Sequence, residues 1–175
     1  MVFINWTIFT ERWLERAERG DRAIDDGDRF IALWIAFNGW MRGRFGEAVN
    51  DRTLLNRLKK SEEARVVFEN LRRNQTSFEP SLRRLSQYPV ANMRNLEDPN
   101  KVKKYDGSFG SLIDVLYQVR CNLFHGRKDV DEDDKDFRLV QLSYRVLLPL
   151  FKAYLSANRF WAQTKGQPLK LSLFV

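Results

Sequence analysis

Residues 28–46 read DRFIALWIAFNGWMRGRFG. Ile31, Leu33, Trp34, Ile35, Phe37 and Trp40 fall on nearly every side of a helical wheel. A surface helix would confine such residues to one stripe, so this segment predicts a central, mostly buried helix. Asp28 stands where an N-cap would open it. A helix buried on most sides needs partners around it, and the rest of the chain offers them.

The neighbouring segments repeat at helical spacing. Residues 5–19 carry Trp6, Ile8, Phe9, Trp13, Leu14 and Ala17 as one stripe, and the Gly-containing stretch GDRAIDDGD at 20–28 separates them from the buried helix. Asn50 can cap a helix bearing Leu54, Leu55 and Leu58. A second short helix over about 61–73 carries Ala64, Val67, Phe68 and Leu71, and Pro80 suits the first turn of a third. Residues 88–110 read as loop. Ser111 to Asp114 resembles a capping box opening a helix with Leu112, Val115, Leu116, Val119 and Leu123 as its core stripe. The acidic run DVDEDDKD at 129–136 then leads into a long final helix over about 136–160, which Pro149 must kink or split. The closing PLKLSLFV at 168–175 alternates like a short strand in search of a partner. No repeat, low-complexity tract or boundary interrupts the chain. The expectation is one all-α domain over 1–175, a bundle of four to five long helices with a core of about 5–160 and a tail at 161–175.

The 175 residues include 30 Lys and Arg against 23 Asp and Glu, for a formal charge of +7. Twenty of the basic residues are Arg, whose planar fork matches phosphate and carboxylate, so the balance leans toward a polyanionic partner. A single Cys makes no internal disulfide and fits a reducing compartment. The N-terminal residues carry early charges without a cleavage site, and no apolar run reaches the ~20 residues of a membrane span. These features predict a cytoplasmic protein with no membrane association.

The only histidine lies in VRCNLFHGR, residues 119–127. On a helix Asn122 and Cys121 precede His125 by three and four positions and neighbour it. Arg120 precedes it by five, about 140° around an ideal helix, and converges with it only where the chain turns at Gly126. Several chemistries compete for these groups. Cys121 with His125 could form a thiol–imidazole pair, although nothing local marks a lowered thiol pKa. One Cys and one His cannot close a zinc site in a monomer. The run from Asp129 lacks the Gly and the bidentate Glu of a calcium loop, with Asp134 and Val140 in their places. Metal-free cleavage of RNA asks for less, because the substrate carries its own 2′-OH nucleophile. An imidazole suits the proton transfers, an Arg suits the developing phosphorane charge, and Asn122 adds a neutral donor. No cofactor is expected. The plain alternative is a helix C-terminus with a dipole-stabilised His and a surface Arg.

The stretch YQVRCNLFHGRK resembles the R-x(4–6)-H motif of HEPN domains with four intervening residues, and FIALWIAFNGW is similar to the buried second helix of the Apea-like HEPN branch. The order of elements agrees over about 5–160, with the motif late in a penultimate long helix and a final helix after it. One position departs: the polar residue often found directly after the Arg is here Cys121, with Asn122 one place later. The resemblance implies a helical bundle and a metal-independent endoribonuclease, of the kind found in toxin–antitoxin and antiviral systems. Arg120 and His125 would be its catalytic pair and Asn122 a supporting residue, in a composite site where two motifs face each other across a homodimer. An antitoxin or another defence-system protein would be a further partner. The same resemblance also admits a non-catalytic HEPN module that binds nucleotide, RNA or protein as a scaffold.

Other residues divide between two readings. Asn38, inside the apolar helix, is either a buried polar group bonded within the bundle or, with Cys121, a residue supporting the site. Arg127 and Lys128, beside the motif, are candidates for phosphate contact. Lys103 and Lys104, with Arg94 and Lys101, could follow an RNA backbone or be solvated loop charge.

Overall fold

A computed structural model describes residues 5–19, 26–46, 50–91, 102–124 and 134–164, with side chains of the last segment described over 135–158. The expected all-α bundle is what it shows. The described helices are α1 (Trp6–Glu18), α2 (Asp26–Phe45), α3 (Asp51–Lys60), α4 (Glu62–Asn74), α5 (Phe78–Leu85), α6 (Phe109–Phe124) and α7 (Asp134–Thr164). The expected terminal strand and the tail beyond 164 lie outside the described residues.

The aromatic-rich stretch forms the axis. Phe30, Leu33, Trp34, Ala36, Phe37 and Met41 of α2 are almost wholly buried. Two glycines four positions apart let α1 approach closely: a Cβ on Gly39 would lie 2.6 Å from Phe9 Cδ1, and one on Gly43 would lie 3.0 Å from Trp6 Cβ. At the other end of the pair, Arg29 Nε donates to the Ala17 carbonyl at 3.2 Å. Early α1 thus meets late α2, and the two run antiparallel. Helix α2 also runs parallel to α7: Asp26 accepts from Gln141 at 2.9 Å, and Trp40 stacks on Tyr154 at 5.5 Å between ring centroids. Phe151 packs edge-on against both Phe37 and Trp40, an arrangement that adds a little beyond area burial.

Caps account for several boundaries. Asn5, Asn50 and Ser61 accept from the backbone N–H of Ile8, Thr53 and Ala64 and open α1, α3 and α4. Gly46, at φ +104°, donates to the Arg42 carbonyl and ends α2 in the left-handed conformation suited to glycine. Two expected starts are corrected. Asp28 is not the N-cap of α2, which begins at Asp26, so both carboxylates lie in the first turn, where the helix dipole favours them. Nor does Ser111 open α6 with Asp114: Ser108 Oγ accepts from Ser111 N at 3.1 Å, and Ser111 Oγ turns back to Asp106. Asp114 instead pairs with Lys59 at 2.8 Å. Pro80 sits in the first turn of α5 as expected. Pro149 lies inside α7 without splitting it, since tertiary packing on both sides outweighs the lost hydrogen bond.

Two ion pairs orient α3 on α6. Asp51, first in α3, meets Arg120 near the end of α6, while Lys59, near the end of α3, meets Asp114 near the start of α6. The helices therefore run antiparallel, and the start of α3 is brought to the last turn of α6. Among the described residues no helix is long and apolar enough to cross a membrane.

Candidate active site at the end of helix α6

Three elements converge where α6 ends. From α2 come Asn38 and Arg42, one helical turn apart, and Arg42 Nε donates to Asn38 Oδ1 at 2.8 Å. From α3 comes Asp51, placed in the first turn by the Asn50 cap. Its Oδ1 accepts from Asn38 Nδ2 at 3.0 Å and from Arg42 Nη2 at 2.9 Å. From α6 comes Arg120, whose Nη2 stands 3.3 Å from Asp51 Oδ2. One carboxylate thus lies between two guanidiniums, leaving one positive charge over. The side chains of Arg42, Asp51 and Arg120 are 26%, 21% and 23% exposed, so the cluster is half-sunk and its charges are screened only in part.

The Arg120 guanidinium is also held by rings. Its carbon lies 4.5 Å from the centroid of Phe124 and 6.0 Å from that of Tyr117, the residues four after and three before it. Tyr117 in turn leans on the buried Trp34 at 6.1 Å. Burial foremost, then the neighbouring Cys121, raises the Tyr117 hydroxyl above its ordinary pKa, so it stays protonated near neutrality. Cys121 is half-buried, with its Sγ 3.9 Å from Arg120 Nη1. Arg120 Nε is buried without a hydrogen-bond partner among the described residues.

Asn122, expected as a neutral donor beside Arg120 and His125, faces the interior. It is 2% exposed, accepts from Gln118 Nε2 at 3.0 Å and donates to the Ala91 carbonyl at 2.9 Å. The helix turns it inward while Arg120 and Phe124 stay at the surface. Its amide therefore secures the chain leaving α5 against α6. The adjacent Val90 exchanges two hydrogen bonds of 2.8 Å with Lys103, which like Lys104 is exposed.

Of the residues singled out from the sequence, Arg120, Cys121 and Asn38 gather in one network, Asn38 through Asp51. Asn122 is turned inward from it, and Lys103 is tied through Val90 to the chain beside Ala91. His125, Arg127 and Lys128, and Gly126 expected to end the helix, lie outside the described residues, as do Arg94 and Lys101. Sequence reasoning missed Arg42, Asp51, Tyr117 and Phe124. The i, i+4 pair of Asn38 and Arg42 on an otherwise apolar helix was a usable signal. Nothing local could join Asp51 to Arg120. No family model, curated protein or solved structure matches the chain.

Proposed function

We propose that the protein is a metal-independent endoribonuclease of HEPN type, working at the end of α6 with Arg120 and His125. The observation that carries this reading is the held guanidinium of Arg120: a cation fixed by Asp51 and by two rings, five residues before the only imidazole in the sequence. A preorganised cation stabilises charge that develops in a transition state without reorganising when the reaction occurs.

In the proposed reaction the ribose 2′-oxygen attacks the adjacent phosphorus while a base takes its proton. The P–O5′ bond breaks as the leaving oxygen receives a proton, giving a 2′,3′-cyclic phosphate and a 5′-hydroxyl. His125 carries out the proton transfers, with the two roles divided between the histidines of two copies that meet at this site. Arg120 bears the charge on the non-bridging oxygens. Asn122 acts through the backbone it secures rather than on the substrate. Arg127, Lys128, Lys103 and Lys104 contact flanking phosphates. The homodimer, the cytoplasmic setting, a role as toxin or antiviral effector and control by an antitoxin or other defence-system protein belong to the same proposal.

One observation favours the alternative, a non-catalytic module that binds nucleotide, RNA or a protein. Arg120 already has a carboxylate partner, and such a pair can serve stability alone. Incubation with RNA in EDTA decides between the two. The nuclease reading expects cleavage with cyclic-phosphate ends, lost in His125→Ala and in Arg120→Met while both variants keep the wild-type circular dichroism. RNA that is bound but left intact by the wild type would favour the module.

A further inference from the structure

Phe124 is an aromatic ring the core does not use. Most described aromatic side chains interlock around α2 and α7, as Phe37, Trp40, Phe151 and Tyr154 do. Phe124 stands at the last described position of α6 with 45% of its surface exposed. Its neighbour is a charge rather than an apolar group: the Arg120 guanidinium carbon, 4.5 Å from the ring centroid. That guanidinium cannot swing away freely, because Asp51 holds its Nη2 and Tyr117 lies along the same stripe. The guanidinium lies over one face of the ring, so the exposed remainder of a flat apolar surface and a fixed cation are presented together.

A nucleotide is a ligand with the matching pair of features, a flat π-surface and an anion joined through one sugar. We propose that Phe124 is a platform on which one base of the bound strand stacks while Arg120 engages the neighbouring phosphate. This rests on the nuclease reading and adds a specificity residue to it. A base paired within a duplex has both faces covered by its neighbours, so the platform selects an unstacked base. Stacking is tolerant of base identity, since every base has a π-face, so the preference is for strand state more than for sequence.

The test uses the wild-type protein and a 2′-O-methyl oligoribonucleotide, which lacks the attacking hydroxyl, with 2-aminopurine placed at successive positions. Binding is expected to quench the fluorophore most at one position. Phe124→Leu keeps an apolar side chain without a π-face and is expected to bind about fivefold or more weakly and to lose that quench. Phe124→Trp is expected to restore both. Unchanged affinity and quench in Phe124→Leu would overturn the proposal. So would a Phe124→Leu variant whose oligonucleotide binding is intact but whose sedimentation shows a changed association state, because the ring would then be a contact between copies. Cleavage of the unmodified strand, measured alongside, reports on the nuclease reading separately: cleavage without a localised quench removes the platform and leaves the nuclease. No binding and no cleavage by the wild type would remove both.

Discussion

Replacing Asp51 by Asn keeps the shape of the site and removes the charge at its centre. The amide oxygen can still accept from Asn38 and Arg42, as Oδ1 does at 3.0 and 2.9 Å. The amide nitrogen then faces Arg120 Nη2 across the 3.3 Å now occupied by an ion pair, donor against donor. Two unit charges ~4 Å apart attract by about 4 kcal/mol at an effective dielectric constant near 20. Each of the three side chains is about a quarter exposed, so water screens part of that attraction. Removing the carboxylate also removes its own desolvation cost. The expected net loss is about 2 kcal/mol of folding stability, or a fall in Tm of roughly 4–8 °C for a domain of this size. Urea unfolding followed by circular dichroism measures it, and a double-mutant cycle with Arg120→Met isolates the pair. A coupling near zero, or an Asp51→Asn protein within ~0.5 kcal/mol of wild type, would refute the reasoning. Function should split in a way that mere loss of stability would not produce. On the proposed nuclease reading, with one negative charge gone beside the phosphate site, RNA binding is expected to hold or tighten, while kcat falls because Arg120 is no longer held.

Asn122→Ala strips the Ala91 carbonyl of its donor at a buried position and is expected to cost about 1–3 kcal/mol in urea unfolding; RNA affinity measured under folding conditions should stay near wild type, because Asn122 does not face the surface. Asp106 is held at a pKa of about 2, below its ordinary value, chiefly by the Ser111 hydroxyl and then by Ser108. Its contribution to stability is thus present above about pH 4 and is lost as pH falls toward 2. Asp106→Asn should differ from wild type in urea midpoint at pH 6 and converge with it near pH 2, and a gap that persists in acid would show that the carboxylate's charge is not what stabilises the start of α6.

The fold was legible because it depends on patterns a few residues long. The dense apolar run of α2, the stripes of α1, α3, α4 and α6, the cap at Asn50 and the first-turn proline Pro80 are local properties, and burial follows from them wherever the partners lie. The misreadings were local competitions between adjacent polar residues. Asp26 and Asp28 both suit a first turn, and Ser108 and Ser111 both suit a cap, so only the realised hydrogen bonds separate them. At the candidate site the sequence alone singled out Arg120, Cys121 and Asn122 beside the lone histidine, with Asn38 as a candidate support. Whether each faces out, faces in or meets another was decided by tertiary structure. Asn122 turns inward because the chain leaving α5 needs its amide. Arg120 is held because α3 lies antiparallel on α6 and delivers Asp51 to it. A salt bridge between residues far apart in the chain leaves no trace in periodicity or composition, since its distance exists only after the helices have packed.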